Sequence, residues 1–161
     1  MSPPRRDQPL SASLLDRLME GEDGTPRSGP PRLSDLKNAV RRDMEMLLNS
    51  HCRCMTPGEG HDQLSQSVVS YGIPDFTGLD LATEESRDRL VRHIEETIRR
   101  FEPRFLEVHV TRVNNSEDLD RTLRLRIEAL LHADPAPEPL VLSSQFDPTS
   151  STFEIVGSSD V

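Results

Sequence analysis

Between Ile98 and Val110 the apolar period of this chain changes from that of a helix to that of a strand, and the change falls on Glu102, Pro103 and Arg104. A proline fixes its own φ, has no N–H to give a helix, and drives the residue before it out of the α region. The upstream helix must therefore stop at Phe101 or Glu102, and the chain beyond is extended. In extended backbone, residues two apart project to the same side, so Glu102 and Arg104 are expected to form one polar handle. As a surface ion pair the handle would contribute at most ~1 kcal/mol. As a guanidinium fork offered to another protein it would be a binding element.

The period on either side of this break sets the fold class. Upstream, Leu90, Ile94, Ile98 and Phe101 form the buried stripe of a long helix capped by Thr83, with Glu84 and Glu85 at its positive end and Arg99 and Arg100 at its negative end. An earlier helix over roughly 35–50, capped by Ser34, buries Leu36, Val40, Met44 and Leu47 and leaves Arg41, Arg42, Asp43 and Glu45 on solvated faces. Between them Leu64 to Tyr71 reads as a short helix closed by Gly72, followed by an extended run to Phe76.

Downstream, Leu106, Val108 and Val110 alternate with Glu107 and His109, and Leu123, Leu125, Ile127 and Ala129 alternate with Arg124, Arg126 and Glu128. Pro139 to Phe146 and Thr152 to Val156 supply two more strands, and the short polar connections imply an antiparallel meander. Helices first and strands last give an α+β fold, with N-terminal helices packed on one face of a four-stranded antiparallel meander sheet. The far face is expected to carry Arg112, Arg124 and Arg126 beside Glu107 and Glu128. The edge strands, first or last, offer unpaired backbone groups to a neighbour's strand.

Residues 1–32 read as a mobile N-terminal extension holding a short helix over about 11–20. Its Leu14, Leu15 and Leu18 share one face and, being too few to hold a helix alone, must dock on this core or on another subunit. Residues 33–157 form one α+β domain and 158–161 a tail. The formal charge of −9 repels a phosphate backbone and argues against nucleic acid. No apolar run is long enough to span a membrane and no cationic leader precedes one, so the chain reads as cytoplasmic. The cluster His51, Cys52, Cys54 and His61 counts four potential zinc ligands, but a single residue between the cysteines is not the usual knuckle spacing. No metal and no cofactor is assigned.

Four segments carry a family resemblance in order along the chain: Ser13 to Leu18, Val40 to Asn49, Ser67 to Phe76, and the Phe101 to Arg104 hinge. Together they resemble the TssE family of type VI secretion baseplate subunits, which is similar to the small, lysozyme-like wedge protein of contractile phage tails. The resemblance implies a non-enzymatic structural role in the baseplate wedge, with TssF and TssG as partners, TssK also in the baseplate, and recruitment to the cytoplasmic face of the inner membrane through the apparatus. It implies that the strand-rich half is similar to the interlocking domain of the sheath protomers and templates assembly of the contractile sheath. It places wedge contacts on Glu102, Pro103 and Arg104, with Leu14, Leu15 and Leu18 as a second anchor. The cysteine-containing loop after Asn49 and the long N-terminal extension depart from the family pattern.

The lysozyme-like label raises the alternative of a peptidoglycan-degrading hydrolase. Such an enzyme needs two carboxylates about 5–10 Å apart, one able to donate a proton. Sugar-stacking side chains are scarce, with no Trp and one Tyr, and Arg104 beside Glu102 keeps that carboxyl ionised, which is wrong for a general acid. No catalytic residue is assigned.

Overall fold

Two amphipathic helices lie against one face of a four-stranded sheet in a computed structural model that describes residues 33–52, 63–64, 67–74, 83–113, 122–133, 136–147, 150 and 152–159. The expected helix over 11–20 lies outside the described residues, as do Cys54 and His61.

Helix α1 (Leu33–Leu48) buries Ala39, Val40, Met44, Leu47 and Leu48. It starts earlier than its sequence suggests, so Ser34 falls inside the first turn instead of capping it. Helix α2 (Glu84–Phe101) keeps both expected ends. Thr83 Oγ1 accepts the Ser86 N–H, and the cap residue Glu102 donates its N–H to the Ile98 carbonyl.

Strands β1 (Phe105–Val113), β2 (Leu123–Leu131), β3 (Glu138–Asp147) and β4 (Thr152–Ser159) pair in sequence order, all antiparallel. Their inner face, including Val108, Val110, Ile127, Leu142, Phe146 and Phe153, closes on the stripes of both helices to make one core. β4 runs to Ser159, past the Val156 at which the apolar pattern ends, and takes up part of the expected 158–161 tail.

Two β1 side chains depart from the expected alternation, and the register explains both. Phe105 pairs with Leu131 and Glu107 with Leu130, so Leu106 is the extra residue of a β-bulge and is 50% exposed instead of joining Val108 and Val110 in the core. Arg112 shares the parity of Val108 and Val110, which puts it on the helix side of the sheet, where it pairs with Glu84. The far face keeps the exposed Arg126 and Glu128 pair, Nε to Oε1 at 2.7 Å, but not Arg112.

The expected helix over Leu64 to Tyr71 is reduced, among its described residues, to short 3-10 turns, of which Val68–Ser70 is capped by the Ser67 hydroxyl. Gly72 follows with φ of 101°, and Ile73 then doubles back on the end of α1. The Ile73 N–H donates to the Ser50 carbonyl at 2.8 Å, and the Cys52 N–H donates to the Ile73 carbonyl at 2.9 Å. A Cβ on Gly72 would lie 2.2 Å from the Ser50 oxygen, so no side chain fits there. Gly72→Ala is expected to lower stability by at least about 1–3 kcal/mol, the cost of a strained backbone site, read as a shift of the urea midpoint at unchanged slope.

Candidate functional site

Pro103 ends α2, and the residue before it takes up a pre-proline conformation, φ −112° and ψ 85°. The chain does not run straight on. Pro103 and Arg104 form a tight turn in which the Phe105 N–H donates to the Glu102 carbonyl at 3.3 Å. That turn, and not an extended run, brings Glu102 and Arg104 together.

The pair is not a surface handle. Glu102 is 5% exposed and the Arg104 side chain 27%. Arg104 Nε donates to Glu102 Oε1 at 2.6 Å, Nη2 donates to Oε2 at 2.5 Å, and the Arg104 N–H adds a bond to Oε1 at 3.2 Å. Nη2 also reaches Asp43 Oδ2 of α1 at 2.7 Å. The cluster therefore pins α1, the end of α2 and the start of β1 to one guanidinium. Nη1 makes no recorded bond among the described residues and is the part of the fork left over. Pro103 itself is exposed at the tip of the turn.

Asp43 was expected on a solvated face. It falls on the flank of the stripe, three residues after Val40 and four before Leu47, which is the spacing that brings side chains to one side of a helix. Tyr71 completes the surroundings. Its ring meets Phe101 edge-on at 5.4 Å, and its phenol ionises less readily than usual because of burial and then the negative charges of Asp43 and Glu102. The same two carboxylates hold the Arg104 guanidinium protonated well beyond its ordinary range, against the opposing effect of burial.

Exposed apolar side chains lie close to the cluster in sequence. Val68 and Val69 are exposed on the turn that leads into Tyr71, and the bulge residue Leu106 follows Arg104 by two positions. Leu14, Leu15 and Leu18 lie outside the described residues. Of the four residues weighed as zinc ligands, His51 and Cys52 are described: His51 bridges to Ile73, and Cys52 is a free thiol.

The two edges of the sheet differ. On β1, Glu95 Oε2 of α2 accepts the Val110 N–H at 3.0 Å, while Arg99 Nη2 donates to Glu95 Oε1 at 2.7 Å and to the Val108 carbonyl at 3.4 Å. A helix ion pair thus occupies outward backbone groups of that edge. On β4, one side chain does similar work at one residue: Asn49 Oδ1 accepts the Phe153 N–H and Asn49 Nδ2 donates to the Phe153 carbonyl, each at 2.9 Å. The next outward residue, Ile155, has no recorded partner beyond the sheet among the described residues. Sequence reasoning missed Glu95, Arg99 and Asn49. For the first two, the i,i+4 spacing was a usable signal, and for Asn49, its place just past the last turn of α1.

Removal of Arg104 leaves a buried carboxylate without its counter-charge. Arg104→Ala is expected to cost about 3 kcal/mol or more, while the double variant Glu102→Gln/Arg104→Met recovers much of that loss in urea melts. The phenol gives an independent check. A folded-state pKa raised above 10.0 means that Tyr71 stabilises the fold in full below that pH and loses its contribution as pH rises through the folded value. Phenolate absorbance of this single Tyr should titrate above pH 10.0 in the folded chain and fall back toward ~10 in urea, and Asp43→Asn should lower the folded midpoint.

Residues 34–136 match the family described as baseplate wedge protein gp25. The matched span contains the entire Asp43, Glu102 and Arg104 cluster and both helices. Among curated proteins, the anti-adapter protein IraD of Salmonella arizonae is 30% identical over 129 residues, covering 80% of this chain and 86% of that protein. No solved structure gives a significant match.

Proposed function

The chain belongs to the gp25 family of baseplate wedge proteins, and from that premise we propose that it is the TssE-type subunit of a type VI secretion baseplate, joining TssF and TssG in the wedge and starting the contractile sheath. The observation that carries this reading is the three-way clamp on Arg104, which lies inside the family-matched span and fixes the geometry of the hinge. In this reading the clamp builds the contact surface and its rim makes the contact. Arg104 Nη1 donates to a partner's carbonyl or carboxylate oxygen, Pro103 presents the tip of the turn, and Leu106, Val68 and Val69 supply the apolar contact. Leu14, Leu15 and Leu18 serve as a second anchor to the wedge, and TssK joins at the level of the whole baseplate.

Templating of the sheath falls in this reading to β4, whose Ile155 meets no partner beyond the sheet among the described residues, whereas α2 side chains bond to Val108 and Val110 of β1. An extended segment of a sheath protomer adding there would take its register from β4 through main-chain bonds. No helix among the described residues is long and apolar enough to cross a membrane, so placement at the cytoplasmic face of the inner membrane would run through the apparatus. The family is structural, and hydrolysis gains nothing from the geometry: both Glu102 oxygens are taken by Arg104.

The match to an anti-adapter protein favours a second reading, in which the same body binds an adapter protein and no wedge exists. Co-purification with TssF and TssG of the same organism separates the two. The informative variant is Leu106→Asp, which alters the rim and leaves the clamp intact. Its stability should stay within about 0.5 kcal/mol of the parent while the wedge proteins are lost. A parent chain that retains neither TssF nor TssG would sink the baseplate reading.

A further inference from the structure

Asn49 sits at the end of α1, and both N–H donors of its side-chain amide are used. Nδ2 donates to the Glu45 carbonyl and to the Phe153 carbonyl, each at 2.9 Å, and Oδ1 accepts the Phe153 N–H. A side-chain amide that takes both the N–H and the C=O of one edge residue does what the backbone of a neighbouring strand would do at that position. Phe153 is thereby fixed as a residue whose two polar groups face away from β3. Ile155, two residues on and ahead of the register shift between Ser143 and Ser144, turns its own groups to the same side.

We propose that Asn49 is the register stop of the β4 edge: by holding both outward backbone groups of Phe153, it confines an added strand to Ile155 and the residues beyond it toward Ser159. This rests on the reading that a sheath segment adds to β4, and it supplies what that reading lacks, a reason for one pairing over its two-residue slips. Strand addition by main-chain bonds alone is indifferent to such slips, because they preserve the side-chain faces. The occupied position at Phe153 excludes the slips that would extend pairing toward that end of β4. β1 carries a comparable block in Glu95 and Arg99, there spread over Val108 and Val110.

The test is residue-resolved amide exchange at Phe153 and Ile155 in the full chain, alone and co-purified with the sheath protomers of the same organism, for the parent and Asn49→Ala. In the parent alone, Phe153 is expected to be protected and Ile155 to exchange at least about tenfold faster; bound sheath protein then protects Ile155 and leaves Phe153 unchanged. In Asn49→Ala alone, Phe153 should exchange about tenfold faster, the loss of one hydrogen bond, and bound sheath protein should protect it again. Asn49→Asp keeps the acceptor for the Phe153 N–H, and so retains Phe153 protection and serves if the alanine variant fails to fold. Unchanged Phe153 exchange in Asn49→Ala overturns the stop. So does parent Phe153 gaining protection along with Ile155 when sheath protein binds. Bound sheath protein that leaves Ile155 unprotected overturns strand addition at this edge, whatever Phe153 shows. Failure of the sheath protomers to co-purify at all overturns the templating reading, and the comparison at Phe153 without partner still decides whether Asn49 occupies the edge.

Discussion

The structure depends on one guanidinium. Glu102 is drawn inward because the proline after it forbids another helical turn, and a carboxylate at that depth is costly unless a partner neutralises it. Arg104 supplies the charge and, through separate nitrogens, contacts both Glu102 oxygens while reaching Asp43. A lysine has the charge but a single nitrogen, and could not hold a planar fork on Glu102 and still meet α1. Because the turn is clamped, the direction in which β1 leaves α2 is set, and so is the seat of α1 across the sheet. The end of α1 then delivers Asn49 to β4. Asp43 of the clamp and Asn49 of the register stop thus sit close together, on the last turns of one helix and the residue after it.

Among the described residues the two edges of the sheet are unequal, which is what the proposed templating role requires. A subunit with two open edges would propagate in both directions, and one with none would template nothing. Here the Glu95 and Arg99 pair, which would count for little as a surface salt bridge, bonds to backbone groups of β1 that a neighbour's strand would otherwise use. Among the described residues, β4 is blocked at Phe153 and not at Ile155. The polarity of the subunit arises from side chains of the helices and not from the strands themselves.

The fold class and strand order were legible because period and punctuation agree: a 3.6 period ending at Glu102-Pro103, then alternation broken by polar loops. Thr83 and Glu102 were legible as helix ends for the same local reason. What was not legible depends on long-range register. The bulge that turns Leu106 outward is a property of β1 paired against Leu130 and Leu131, and nothing in the β1 sequence records it. Arg112 was misplaced on the far face although its parity already put it with Val108 and Val110. Asp43 looked solvated because a charge on a helix flank usually is, and only the contact from a residue far along the chain gives it a role. Ser34 was an ordinary capping residue that the helix overran.

The hinge therefore has a structural role that a single alanine substitution cannot separate from the proposed contact. In the sequence Arg104 looked like a fork aimed outward, and loss of a partner on its removal would have read as proof of contact. In the structure two of its nitrogens face inward, so removing it frees a buried carboxylate and unseats α1 before any interface is considered. An interface here has to be located through groups that touch solvent and bear little of the fold, namely the bulge side chain Leu106 and the turn residues Val68 and Val69. The clamp explains why these groups sit where they do: Tyr71 anchors the turn next to Asp43 and Glu102, and the strand that carries Leu106 begins at the residue after Arg104. Under the proposed contact, rigidity and recognition share the hinge because the first positions the second.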